Sequence, residues 1–164
     1  MIEVRIASLA VDPRSNQPVL ILRPIDDAAG EGRMLPIWIG QPEATAILLA
    51  LEDVALPRPL THDLLKNVID ALGAYVERIE ITRVEEGTFY AALVLRAEER
   101  TLAIDARPSD SIALAVRTGA PVFVAEDVMD SAAVSESGNE IDEEAELQAF
   151  REFLENVDPE DFQG

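Results

Sequence analysis

The chain of 164 residues has no cysteine, which removes disulfides, thiolate nucleophiles and Cys-based zinc sites in one stroke. It has one histidine, so nucleophilic triads have few routes. The Walker loop, the Gly-rich dinucleotide fingerprint and the His-Glu-x-x-His helix are all missing. Nowhere do about 18 apolar residues run together, and Met1-Ile2-Glu3-Val4-Arg5 carries an acid early, so a soluble, cytoplasmic protein with no membrane attachment is expected. Positive charge is scarce. The formal net charge is -19, and residues 126–164 hold 14 acids and one arginine, leaving a net -6 before them. Such a protein repels nucleic acid at long range and gains little from counterion release, which disfavours simple coating. A localised basic site, or a bound metal, can still hold one phosphate.

What is present is 48% hydrophobic content, enough for one well-buried domain. Residues 2–11 alternate as a half-buried strand and 19–22 return antiparallel to it after a turn at 12–16. Residues 34–39 read as a third strand, and Pro42 opens a helix to residue 55 that is apolar on most sides and needs partners. A second helix, 61–71, carries Leu64, Leu65, Val68, Ile69 and Leu72 at helical spacing and stops at Gly73. Residues 75–84 and 88–97 form a hairpin, 101–105 a further strand, 109–118 a helix stopped by Gly119, and 121–125 a strand. Strands in blocks between helices predict an α+β fold around a mixed, mainly antiparallel sheet. The domain is expected over 1–133, with a linker at 134–141 and an acidic amphipathic helix in a tail at 142–164.

Two junctions repeat one arrangement of arginine, proline, hydroxyl and aspartate leading into an apolar helix: Arg58-Pro59-Leu60-Thr61-His62-Asp63 and Arg107-Pro108-Ser109-Asp110. Thr61 and Ser109 suit the N-cap position, which would gather the first-turn N-H groups around a point that an arginine also reaches. That is a favourable place for phosphate, with Arg58 and Arg107 offering planar forks. His62, expected as the first residue inside its helix and partly exposed, could deprotonate water or ligate a metal, or could be an incidental surface histidine. Asp63 complements the helix dipole whether or not it is catalytic. Asp105 and Asp110 flank Arg107-Pro108 and could together hold magnesium or manganese, or Asp110 could simply pair with Arg107 and cap the helix. Glu43, just inside the first helix, could join the same cluster or merely favour its dipole. Water activation beside a phosphate, with His62 or a cation assisting, points to phosphodiester hydrolysis.

At these residues the sequence resembles the bifunctional nuclease domain family. The matching stretches are Leu35-Pro36-Ile37-Trp38-Ile39-Gly40 with Glu43-Ala44, Arg58-Pro59-Leu60-Thr61-His62-Asp63-Leu64, Gly87-Thr88-Phe89-Tyr90-Ala91, and Asp105-Ala106-Arg107-Pro108-Ser109-Asp110-Ser111-Ile112-Ala113-Leu114-Ala115. The resemblance implies an α+β fold that self-associates, a dimer being favoured, and a nuclease acting on DNA and RNA. It makes Glu43, His62, Asp63, Asp105, Arg107 and Asp110 the candidates for its site. The rival expectation is a non-catalytic oligomeric binding or regulatory module whose polar residues serve the fold. A further alternative is that the acidic tail mimics nucleic acid and masks the site.

Overall fold

A computed structural model describes residues 1–26 and 32–135. The expected linker beyond Ser135 and the acidic tail lie outside the described residues. The chain begins with β1 (Ile2–Asp12), β2 (Gln17–Pro24) and β3 (Arg33–Trp38), an antiparallel meander. Helices α1 (Gln41–Leu51) and α2 (Thr61–Ala71) follow. Then come β4 (Ala74–Glu85), β5 (Thr88–Ala97) and β6 (Arg100–Ala106), a second antiparallel meander. The described part closes with α3 (Pro108–Thr118), β7 (Val122–Val124), α4 (Glu126–Ala132) and β8 (Val134–Ser135).

All eight strands form one sheet in the order β6-β5-β4-β7-β1-β2-β3-β8. The short β7 is the seam between the meanders, parallel to β4 through Ile79 opposite Val122 and antiparallel to β1 through Ile2 opposite Val124. The α+β expectation is met, with that single parallel pairing making the sheet mixed. At the β4–β5 hairpin Glu86 (φ 50°) and Gly87 (φ 78°) both take positive φ, the geometry that a tight two-residue turn demands.

Helix α3 occupies the middle of the core. Pro108, Ser109 and the run Ser111 to Ala115 are buried, with Ile112 and Leu114 fully enclosed beside Leu20, Leu22, Leu35, Ile47, Ile79 and Ile81. Each such side chain contributes about 1.5–3 kcal/mol through burial. Strand β6 lies at the sheet's edge and is exposed from Arg100 to Asp105.

One boundary needs correction. Helix α1 stops at Leu51 instead of residue 55, because Asp53 turns left-handed (φ 51°) and the Val54 N-H bonds back to the Leu49 carbonyl. The apolar residues of α2 do not share one buried face: only His62 and Ile69 are buried, while Leu64, Leu65, Val68 and Leu72 are exposed. Helix α4, with Val128 and Met129 buried, was not anticipated. After it, β8 pairs Val134 opposite Met34 and Ser135 opposite Arg33.

Candidate active site

Helices α1, α2 and α3 each place an acid at the third residue of the first turn: Glu43, Asp63 and Asp110. The caps themselves are not Thr61 and Ser109. They are Gly40, Leu60 and Arg107, none of which makes a side-chain capping bond. Thr61 and Pro108 open their helices as first residues, so the hydroxyl residues sit one or two places too far in: Thr61 exposed, Ser109 buried. In α2 the reciprocal half of a capping box is made instead, with the Leu60 N-H donating to Asp63 Oδ2 at 2.9 Å.

The two arginine-bearing junctions meet. His62, second residue of α2 and 9% exposed, places Nε2 2.9 Å from Asp110 Oδ1 of α3. It is therefore more enclosed, and one residue further in, than its sequence suggested. Asp110 Oδ2 accepts from Arg107 Nε at 2.7 Å, and Arg107 Nη2 donates to Glu43 Oε1 at 2.8 Å. A continuous polar chain runs Glu43, Arg107, Asp110, His62 across three helix starts. A Cβ at Gly40 would meet the Glu43 carboxylate, so a side chain there would force Glu43 to shift from its present place.

Burial is the largest influence on Asp110 and pushes its carboxyl up, but the Arg107 and His62 hydrogen bonds with their charges hold it below the usual carboxylate range. The Arg107 guanidinium is pushed up by its bonds to Asp110 and Glu43. An ionised Asp110 can only accept, so the Nε2 of a neutral His62 carries the proton and Nδ1 the lone pair. Nδ1 has no hydrogen-bond partner among the described residues, and the side chain as a whole is 11% exposed. That is an aspartate-oriented imidazole, the pairing that general-base catalysis uses. The Arg107 side chain is 64% exposed and keeps Nη1 uncommitted.

Asp63 turns the other way. Its Oδ1 accepts from Arg117 Nε at 2.7 Å, and Arg117, with a side chain 7% exposed, also donates to the Ala113 and Ala46 carbonyls. Burial pushes the Asp63 carboxyl up, and the Arg117 and Leu60 hydrogen bonds outweigh it and bring it below its ordinary value. Sequence reading missed Arg117. The available signal was its place seven residues after Asp110, two turns along the same face of an otherwise apolar helix. Arg58 is exposed on the loop before α2 and has no ion pair among the described residues.

Asp105 stays apart, exposed near the end of β6 opposite Ala92, with no hydrogen bond or ion pair among the described residues. Both oxygens of Asp110 are already engaged. Among the described residues no three acid or histidine side chains are grouped to hold a metal ion, so the donor set does not fit a resident cation there.

The Bifunctional nuclease domain family matches residues 21–137, spanning the polar chain and both junctions. The chain belongs to this family. It is 46% identical over 167 residues to an uncharacterized Mycobacterium tuberculosis protein, covering 98% of this chain and 97% of that one. It is 31% identical over 98 residues to Bifunctional nuclease 1 of Oryza sativa subsp. japonica, covering 58% of this chain and 30% of the plant protein. With Bifunctional nuclease 1 of Arabidopsis thaliana the figures are 29% over 110 residues, 65% and 33%. The part of this chain shared with the plant nucleases thus corresponds to about a third of their length. No described helix is long and apolar enough to cross a membrane.

Proposed function

We propose that the chain is a nuclease that hydrolyses phosphodiester bonds of DNA, RNA or both by activated water. The observation that carries this reading is the His62–Asp110 contact, which joins the two arginine-bearing junctions and leaves the other imidazole nitrogen without a hydrogen-bond partner among the described residues. His62 Nδ1 takes a proton from water as the oxygen attacks phosphorus, and Asp110 stabilises the imidazolium that forms. Arg107, through Nη1, binds the scissile phosphate more strongly as charge builds in the transition state, and Arg58 holds a phosphate of the bound substrate. Glu43 is a positioning residue that holds Arg107. Asp63 positions the start of α2 through Arg117. No step is routed through magnesium or manganese.

The test is cleavage of a short single-stranded oligonucleotide by His62→Ala, Asp110→Asn and the double variant. Each single substitution is expected to remove most of the rate, about 100-fold or more. The double variant should lose little beyond either, as partners acting as one unit do. Parent-like cutting by the double variant sinks the proposal. The rival reading, a non-catalytic module, draws on one fact: Arg107, Asp110, Glu43 and His62 already satisfy one another. It requires that no cleavage appear with any divalent cation and that Arg107 and Asp110 substitutions act on melting temperature alone.

A homo-oligomer, dimer first, is part of the proposal. Its support is the α2 flank of Leu64, Val68 and Leu72, the last 78% exposed, and the edge strand β6 with Leu102 and Ile104 exposed, neither covered by the described residues. Sedimentation equilibrium should give a multiple of the chain mass that Leu72→Asp lowers. A parent that runs as a monomer at high concentration rejects this part.

A further inference from the structure

A cavity of about 450 Å³ opens on the flank of α2 away from the exposed leucines, lined by the end of α1, the loop to α2, Asp63 and Lys66 of α2, and Val116 and Arg117 of α3. The advance of 100° per residue explains the separation: Leu64, Val68 and Leu72 lie on one flank of the helix, and Asp63 and Lys66 lie nearly opposite. Association through the leucines therefore leaves the cavity open. Its volume falls within the range of small-molecule sites.

The lining divides into two halves. Leu49, Val54, Leu56 and Val116 form an apolar wall, and Arg58, Lys66 and Arg117 bring three cations against two carboxylates, Asp53 and Asp63. In a chain of net charge -19 whose only lysine is Lys66, that is a local reversal of sign. Asp63 and Arg117 cancel as an ion pair, and Arg117 is further held by two carbonyls, so Arg58 and Lys66 face Asp53 alone. Among the described residues Lys66 is tied only to Asp70, in an exposed pair one turn apart, and such pairs are weak, so its ammonium is easily drawn to a ligand. Arg58 has no partner among the described residues, and Pro57 and Pro59 on either side restrict its backbone to extended conformations.

We infer that this cavity binds a nucleoside monophosphate unit, its phosphate held by Arg58 and Lys66 and its base laid against Leu49, Val54 and Leu56. The inference rests on the proposed nuclease reading, for which the unit is a nucleotide of the same bound strand a few positions from the bond being cut. Asp110 and Arg117, the α3 partners of His62 and Asp63, are seven residues apart, about 10 Å along the helix. That distance is on the order of three rises of a nucleic-acid strand, so one strand can engage both places.

AMP is a monoester, so the parent protein can be titrated with it without turnover. The experiment compares AMP, adenosine and inorganic phosphate by calorimetry, with Arg58→Ala and Val54→Asp as variants, and adds a cleavage assay of the parent. AMP should bind at least tenfold tighter than either half alone, Arg58→Ala should weaken it about tenfold, and Val54→Asp should abolish binding while both variants melt like the parent. Phosphate binding as well as AMP, or AMP binding indifferent to both substitutions, overturns the assignment. Specific AMP binding by a protein that cuts nothing defeats the nuclease reading and keeps the cavity as a nucleotide site. Cleavage with no AMP binding does the reverse.

Discussion

The two arginine-proline junctions look alike as text, yet one is closed and the other open. Arg107 is locked between Asp110 and Glu43, and its junction is a structural node that also orients His62. Arg58 has no partner among the described residues and stands at the mouth of a cavity. The difference comes from what lies across from each. Helix α3 is buried and meets the start of α1, so Arg107 finds an acid waiting. The loop before α2 runs over the surface, and the nearby acid, Asp63, has been taken by Arg117. The repeated motif therefore ends in two arrangements, one copy bound into the fold beside His62 and the other with its arginine unpaired among the described residues.

Substitutions can sharpen or break that contrast. The largest effect is expected from Asp110→Asn, which should cut the cleavage rate by about 100- to 10,000-fold because the imidazole loses the charge that fixes its tautomer and stabilises its protonated form. Asp63→Ala comes next, on stability: leaving Arg117 buried without its carboxylate should cost about 3 kcal/mol, seen as a drop in Tm of roughly 6–12 °C. Arg58→Ala should leave Tm within about 2 °C of the parent, since an exposed, unpaired side chain contributes under about 0.5 kcal/mol, while KM for an oligonucleotide rises about tenfold. Equal thermal losses from Arg58→Ala and Asp63→Ala would erase the contrast. The smallest effect concerns acid. Asp110 and Asp63 are both lowered in the folded protein, so the stability they supply is complete above their ordinary value near 3.8 and drains as pH falls through the lowered ones. Asp110→Asn should flatten part of that acid slope in chemical unfolding between about pH 4 and pH 2.

The meeting of the junctions was legible because both carried the same residues at helix starts, and strand alternation with glycine stops placed most elements within a few residues. The parts that were not legible share a physical reason. Cap assignment depends on where φ changes, and Leu60 and Arg107 took positions that side-chain chemistry alone gives to Thr61 and Ser109. Helix α4 is seven residues with two buried, too short to show a period. The spacing on α2 showed an apolar stripe but not its exposure, because periodicity does not say what covers a stripe. Arg117 was passed over because its partner is 54 residues away in sequence.

The most direct measurement is cleavage of a single-stranded oligonucleotide by parent and His62→Ala proteins, each with and without a chelator. If His62 held by Asp110 activates water, the parent cuts in both conditions and His62→Ala loses at least about 100-fold in both. Cutting by His62→Ala at the parent's rate, or a parent silenced by the chelator, would contradict that assignment.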